Sequence, residues 1–196
     1  VNNSRSGFQL SSYDMTTIGW GCAPEVQFKM NEEYPFMSGE FVWTGFDYLG
    51  EPTPYNKDLT NLLNFSDPNE LEKLGKIKTP SRSSYFGIVD LCGFPKDRYY
   101  NYKSYWRPDV PTVHILPHWN WQERIGEITP VHIYTSGDAV ELFLNGKSLG
   151  RREKVHSYDR LPWDDVRYEP GSLRAIAYKN GQKWAEELVE TTGKPA

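Results

Sequence analysis

The sequence predicts a mixed chain: an irregular first part with little regular structure, followed by an all-β sandwich of immunoglobulin-like kind. Three observations predict it. From Thr112 onward short alternating runs recur, each bounded by turn residues. Two of those runs are joined through Asn145-Gly146 and two through Asn180-Gly181, the strongest short hairpin signal. Before Thr112, by contrast, nine prolines from Pro24 to Pro111 punctuate the chain, and only two strand-like runs and one good helical pattern stand between them.

In the first part, the strand-like runs are residues 40–46 (EFVWTGF) and 85–91 (YFGIVDL). Residues 59–63 and 68–74 suit short helices, the second with Asp67 as N-cap and Pro68 at the first helical position. Residues 95–106 (PKDRYYNYKSYW) read as a helix. Pro95 sits near its first turn, Asp97 follows, and Tyr99, Tyr102 and Trp106 fall on one face as a packing stripe. The pair Pro108 and Pro111 marks a boundary, giving residues 1–111 and 112–196.

In the second part, VELFLNG places Val140, Leu142 and Leu144 on one side and Glu141 and Phe143 on the other. LRAIAY alternates Leu173, Ala175 and Ala177 with Arg174, Ile176 and Tyr178. Six or seven such strands in about 85 residues match a two-sheet sandwich. The PHWNWQ run at 117–122 is expected to pack the sandwich against its neighbour, with sugar stacking as the alternative.

Composition narrows function. The 196 residues are enough for one large domain or two small ones and carry a net charge of -4, with both signs scattered. No basic stripe is present to neutralise phosphates, which argues against nucleic acid. No apolar run approaches the roughly 20 residues of a membrane span. Cys22 and Cys92, expected as partly buried free thiols, make neither a disulfide framework nor a zinc site. His114, His118, His132 and His156 lack metal-ligand spacing, so no metal and no cofactor is expected. Aromatic content is high, at 15% with seven Trp and thirteen Tyr. Without a basic patch, a sugar is the natural polar ligand for such faces.

The first part does not form a complete domain on this reading, because two strands and one helix cannot close a core. FVWTGFDYLGEPTPY, followed by SRSSYFGIVDLCGFPKDRYYNYKSYW, resembles the end of the catalytic barrel in glycoside hydrolase family 2, the β-galactosidase family. VHIYTSGDAVELFLNGKSLG resembles the immunoglobulin-like domain that follows that barrel. The resemblance runs from about residue 13 to 191 and is weakest over 56–79. It implies that residues 1–111 are the last β/α portion of a (β/α)8 TIM barrel, with 40–46 its eighth strand, 95–106 its last helix and 47–94 a long loop at the catalytic face.

The same resemblance implies a retaining glycosidase that hydrolyses terminal β-linked sugars through two glutamates. Neither is expected in this chain. Asn31-Glu32 and Asn69-Glu70 lack the strand-end context of the acid/base, and the nucleophile would lie upstream of the segment that SRSGFQLSSYD resembles. Trp43 is expected to line the sugar pocket, with a cis peptide at Trp43–Thr44. Asp47 and Glu51, just past the strand end, are the other substrate-binding candidates. Glu40 lies roughly 20 Å from Asp47 at ~3.3 Å per residue, too far to pair with it. For each acid the alternative is a carboxylate that accepts loop amides or pairs with an arginine such as Arg82 or Arg98. The implied partners are an oligosaccharide or β-galactoside, the remainder of the parent enzyme, and a second copy through self-association. The parent is expected to be periplasmic or extracellular. A non-catalytic carbohydrate-binding or scaffold module is the alternative function.

Overall fold

A computed structural model of the chain describes Tyr13 and residues 21–51 and 83–193. The residues group by contact into two compact units. One comprises 40–96, and the other comprises 12–39 together with 97–196. The boundary expected at 107–112 separates kinds of element. By contact, both helices group with the sandwich.

The larger unit holds helices α1 (Pro24–Glu33) and α2 (Asp97–Trp106) and strands β1 (Val113–Leu116), β2 (Val131–Thr135), β3 (Ala139–Leu144), β4 (Lys147–Glu153), β5 (Leu161–Trp163), β6 (Ser172–Lys179) and β7 (Gln182–Glu190). The strands form two antiparallel sheets, ordered β1-β2-β5 and β4-β3-β6-β7. Both predicted hairpins are present. Asn145 and Gly146 have φ of 50° and 80°, and Asn180 and Gly181 have 52° and 76°. Two consecutive positive φ angles give the turn twist that matches the right-handed twist of the flanking strands.

The core lies between the sheets. Val113, Ile115, Val131, Ile133, Leu161 and Trp163 meet Val140, Leu142, Leu144, Leu173, Ala175 and Ala177. Within one sheet, the β3–β6 register sets Leu142 beside Ala175 and Val140 beside Ala177, so large side chains neighbour small ones on its inner face. Trp119, 1% exposed, belongs to this core and donates its indole N–H to the Glu169 carbonyl at 3.0 Å. This corrects the expectation that PHWNWQ packs outward from the sandwich. Trp121 leans on the same core from its edge and stacks on His118 at 4.2 Å.

β2 is buried along its whole length. Its inward side faces the core, and α2 lies against β1 and β2 from the same unit. Burial on both faces thus extends to His132 and Tyr134, the polar positions of the alternating VHIYT. Of the packing stripe predicted on α2, Tyr102 is buried, whereas Trp106 is 47% exposed. Tyr102 sits against Trp106 at 4.6 Å, and Phe28 of α1, fully buried, stacks on Tyr105 at 4.0 Å and meets Tyr102 edge-on at 5.4 Å. Helix α1 is absent from the sequence reading, which took Pro24 as loop punctuation. Pro24 instead occupies the helix's first turn, where its missing N–H costs nothing. Arg160 then ties α1 to the sandwich by an ion pair to Glu25.

His114 on β1 is held between two carboxylates. Its Nε2 lies 2.8 Å from Asp97 of α2, its Nδ1 lies 3.2 Å from Glu187 of β7, and its ring stacks on Tyr100 at 3.8 Å. Glu187 also accepts the Ile115 backbone N–H at 2.5 Å, which joins the two sheets. Burial opposes the imidazolium, but the bonds to Asp97 and Glu187 and their charges outweigh it and raise the pKa to about 9.

Residues 40–46 and 85–91 are not strands in the structure. They meet through single bridges, Phe46 with Val89 in parallel and Leu49 with Ser83 antiparallel. Among the described residues Val89 also bridges Pro95, but these bridges stay isolated and do not continue into a ladder. The helices expected at 59–63 and 68–74 lie outside the described residues. Cys22 and Cys92 are free and exposed, not partly buried.

Two outcomes follow from the packing. Because the folded pKa of His114 lies above its ordinary value of 6.5, its contribution is fully present below about pH 6.5 and is lost as pH rises through about 9. The stability that His114 gives the larger unit therefore falls across that window, by up to about 3 kcal/mol, and thermal melts of a His114→Gln variant lack this fall. Phe28→Ala costs about 3–5 kcal/mol in urea unfolding, because the cavity it leaves is walled by two tyrosine rings. A loss below 1 kcal/mol would mean α1 is not anchored by Phe28.

Candidate substrate-binding wall

The smaller unit is built around two segments lying side by side. The Ile88 and Val89 amides donate to the Thr44 and Gly45 carbonyls at 3.1 and 3.0 Å, and the Asp47 amide donates to Val89 at 2.9 Å. One register further on, Ser84 and Tyr48 exchange two bonds: the Ser84 amide donates to the Tyr48 carbonyl at 2.8 Å, and the Tyr48 amide to the Ser84 hydroxyl at 3.1 Å. Gly87 sits where the segments touch. A Cβ there would lie 2.1 Å from the Asp47 nitrogen and 2.4 Å from the Phe46 carbonyl carbon, so only glycine fits.

Asp47 is 9% exposed and both of its oxygens are engaged. Oδ1 accepts the Gly87 amide at 2.8 Å, and Oδ2 pairs with the Lys96 ammonium at 2.7 Å. The cation is Lys96, where the alternative reading of this acid named an arginine such as Arg82 or Arg98. Lys96 is itself fixed by its amide, which donates to Ile88 at 2.9 Å. Asp90 closes the intervening turn by accepting the Cys92 and Phe94 amides, each at 2.8 Å. A buried carboxylate with an amide and a cation is the arrangement that allows a charge to leave water.

This brace leaves aromatic side chains facing outward. Trp43 is 74% exposed, and Phe41, Phe46 and Leu49 are exposed beside it in sequence. The Trp43–Thr44 peptide is cis, as the sequence reading expected. The Trp43 ring lies edge-on to Tyr48 with centroids 6.5 Å apart. The Tyr48 hydroxyl donates to Glu51. That bond raises the Tyr48 pKa. Trp43, Tyr48 and Glu51 thus form one row on an exposed surface, Trp43 to Tyr48 by ring contact and Tyr48 to Glu51 by a hydrogen bond. Glu40 is no part of it, and burial raises its carboxyl pKa above the ordinary range.

The structure therefore brings Trp43 and Glu51 together through Tyr48, and sets Asp47 beneath them. Tyr48, Gly87 and Lys96 are absent from the sequence reading. A lone glycine inside YFGIV, a strand-like run, signals close backbone approach and marks Gly87. Lys96 is hidden by its position after Pro95, which reads as a helix start. Asn31-Glu32 lies within α1, at a helix end rather than a strand end. Among the described residues no group of three His, Cys, Asp or Glu side chains could hold a metal, and no helix is long and apolar enough to cross a membrane.

Comparison with known proteins adds the following. Residues 126–185 match the model of a domain of unknown function, DUF4982. The chain is 43% identical over 191 residues to Beta-galactosidase BoGH2A of Bacteroides ovatus, covering 97% of this chain and 20% of that protein. It is 33% identical over 188 residues to a putative beta-glucuronidase of Formosa agariphila, covering 95% of this chain and 16% of that one. Among solved structures, a beta-glycosidase from Bacteroides vulgatus matches with a TM-score of 0.75 and 33% identity, over 98% of this chain and 21% of that chain. A glycosyl hydrolase family 2 member from Bacteroides cellulosilyticus matches with a TM-score of 0.52 and 31% identity, over 57% and 17%. The chain thus spans about a fifth of the length of the curated relatives it matches.

If the Asp47 brace holds the smaller unit, Lys96→Met leaves a buried carboxylate unpaired at a cost of about 3–5 kcal/mol. Hydrogen exchange at the Ile88 and Val89 amides then accelerates, whereas Glu51→Gln leaves it unchanged. Equal exchange in the wild type and Lys96→Met would show that the brace does not hold these segments.

Proposed function

We propose that this chain, which belongs to glycoside hydrolase family 2, supplies one wall of the sugar site of a retaining, β-galactosidase-like enzyme that removes terminal β-linked sugars. Residues 1–111 are the end of its catalytic (β/α)8 barrel, and residues 112–196 are the accessory sandwich that follows. The observation that carries this reading is Trp43, a tryptophan left 74% exposed with its ring edge-on to Tyr48. A flat apolar ring presented to solvent suits the C–H face of a pyranose. Tyr48 and Glu51 offer a hydroxyl and a carboxylate to sugar hydroxyls beside it. Asp47 serves the same wall from beneath by holding its backbone.

The catalytic carboxylates belong to the rest of the parent. A retaining glycosidase needs two carboxyl groups about 5–5.5 Å apart, one free to act as nucleophile. Asp47 is committed to Gly87 and Lys96, and Glu51 accepts the Tyr48 hydroxyl. The exposed row of Phe41, Phe46 and Leu49 matches a surface that further chain covers. The parent acts outside the cytoplasm, in periplasm or medium, on oligosaccharides or β-galactosides, and without a cofactor. The self-sufficient core of the sandwich favours a second reading, in which the isolated chain behaves as a carbohydrate-binding or scaffold module.

Two assays test the proposal. The isolated chain shows no turnover of nitrophenyl-β-galactoside; turnover abolished by Asp47→Asn or Glu51→Gln would place the chemistry here and overturn it. In the parent enzyme, Trp43→Ala lowers kcat/KM roughly a hundredfold, about 2.7 kcal/mol of lost binding. An unchanged kcat/KM would remove Trp43 from the site.

A further inference from the structure

The larger unit carries a groove that the reading above does not use. Its volume is about 690 Å3, and its lining includes Trp106 at the end of α2, Glu32 of α1, Asp138, Lys154 and Val155, and Lys179 at the end of β6. The rim is apolar and exposed: Trp106 is 47% exposed, with its ring leaning on Tyr102, and Val155 is 84% exposed. The floor is polar and already partly spent.

Lys154 donates to the carbonyls of Thr135 at 2.6 Å and Ser157 at 2.8 Å, and an ammonium has three donors, so one is left. Lys179 donates to the Pro108 and Ser136 carbonyls and lies over the Trp184 ring at 4.8 Å. Asp138 uses Oδ2 to accept the Asn180 amide at 2.7 Å, and Oδ1 has no protein partner among the described residues. Glu32 accepts the Ser157 hydroxyl through Oε1 and keeps Oε2. The Trp106 indole N–H is likewise without a protein partner among the described residues.

The lining therefore sets two unspent donors, on Lys154 and Trp106, beside two unspent acceptors, on Asp138 and Glu32, under an aromatic rim. Two ammonium groups against two carboxylates leave it near electrical neutrality. An anion gains little there, because Glu32, Asp138 and Asp159 all act on the Lys154 charge. An apolar ligand would strand the charged floor without water. Paired donors and acceptors beneath a flat apolar surface match vicinal hydroxyls on a ring whose other face is C–H. We propose that this groove binds a neutral pyranoside of an oligosaccharide, as a second glycan subsite carried by the sandwich unit itself. It does not rest on the reading of Trp43.

The test uses the 196-residue chain, with lactose as a neutral probe and methyl β-glucuronide as a charged one, followed by titration calorimetry and tryptophan fluorescence. Lactose binds saturably in the millimolar range and more tightly than the glucuronide. Trp106→Ala raises Kd roughly tenfold or more. Val155→Arg, at a side chain too exposed to affect folding, obstructs the same rim and weakens binding by a similar factor. Ile125→Ser, at an exposed side chain outside the groove, leaves the affinity unchanged. Absence of saturable binding overturns the proposal. So does binding that survives Val155→Arg but is lost in Trp43→Ala, which would assign the sugar to the other wall. Tighter binding of the glucuronide would overturn the neutral class.

Discussion

Asp47 carries a negative charge into a place with almost no access to water, and the arrangement of the smaller unit follows from how that charge is satisfied. The Gly87 amide has to come within hydrogen-bonding distance of one oxygen, which draws residues 83–89 against residues 44–48. The other oxygen takes Lys96, which fixes the far end of the turn closed by Asp90. Once both segments are held from beneath, Trp43, Tyr48 and Glu51 stand on top as one connected row. The carboxylate read in the sequence as a substrate-binding candidate thus has both oxygens engaged within the protein. Removing its cation would leave a buried unpaired charge, a larger penalty than the pair's own net contribution.

The larger unit rests on a different principle. Its sheets enclose an apolar layer that needs nothing from elsewhere, with side chains of complementary size across the β3–β6 register. Polar contacts then decide which pieces attach to it. His114, shared between Asp97 and Glu187, joins the start of α2 to both sheets, and Arg160 with Glu25 does the same for α1. Helices expected to belong to a barrel thus group by contact with the sandwich.

The sandwich was legible because its signals are local. Alternation in VELFLNG and LRAIAY and the two Asn-Gly turns each specify a face or a reversal within a few residues. Trp119 was misread because an aromatic near a domain edge looks like an interface residue until its N–H is seen bonded to Glu169 inside the core. Helix α1 was missed because its apolar side is little more than Phe28, and Phe28 is identified as core only by tyrosines some 75 residues away. In the smaller unit, the cis peptide at Trp43–Thr44 was legible by motif. Lys96 was not, because an ion pair across 49 positions leaves no pattern in composition or period. Residues 40–46 have the alternation of a strand but not its ladder, since alternation describes one chain and a ladder requires neighbours.

Both walls with exposed tryptophans, at Trp43 and at Trp106, combine a flat ring with nearby polar groups, yet only the first sits on a segment whose apolar neighbours also lie open. That difference is why Trp43 is assigned to a site completed by further chain, while the Trp106 groove is assigned within one unit. The most direct measurement is a crystal structure of the parent enzyme with a terminal β-galactoside held in its site. The account predicts the Trp43 indole in van der Waals contact with the sugar ring, Asp47 still paired with Lys96, and the two catalytic carboxylates contributed from outside residues 1–196. A sugar bound away from Trp43, or with Asp47 or Glu51 against its anomeric carbon, would contradict it.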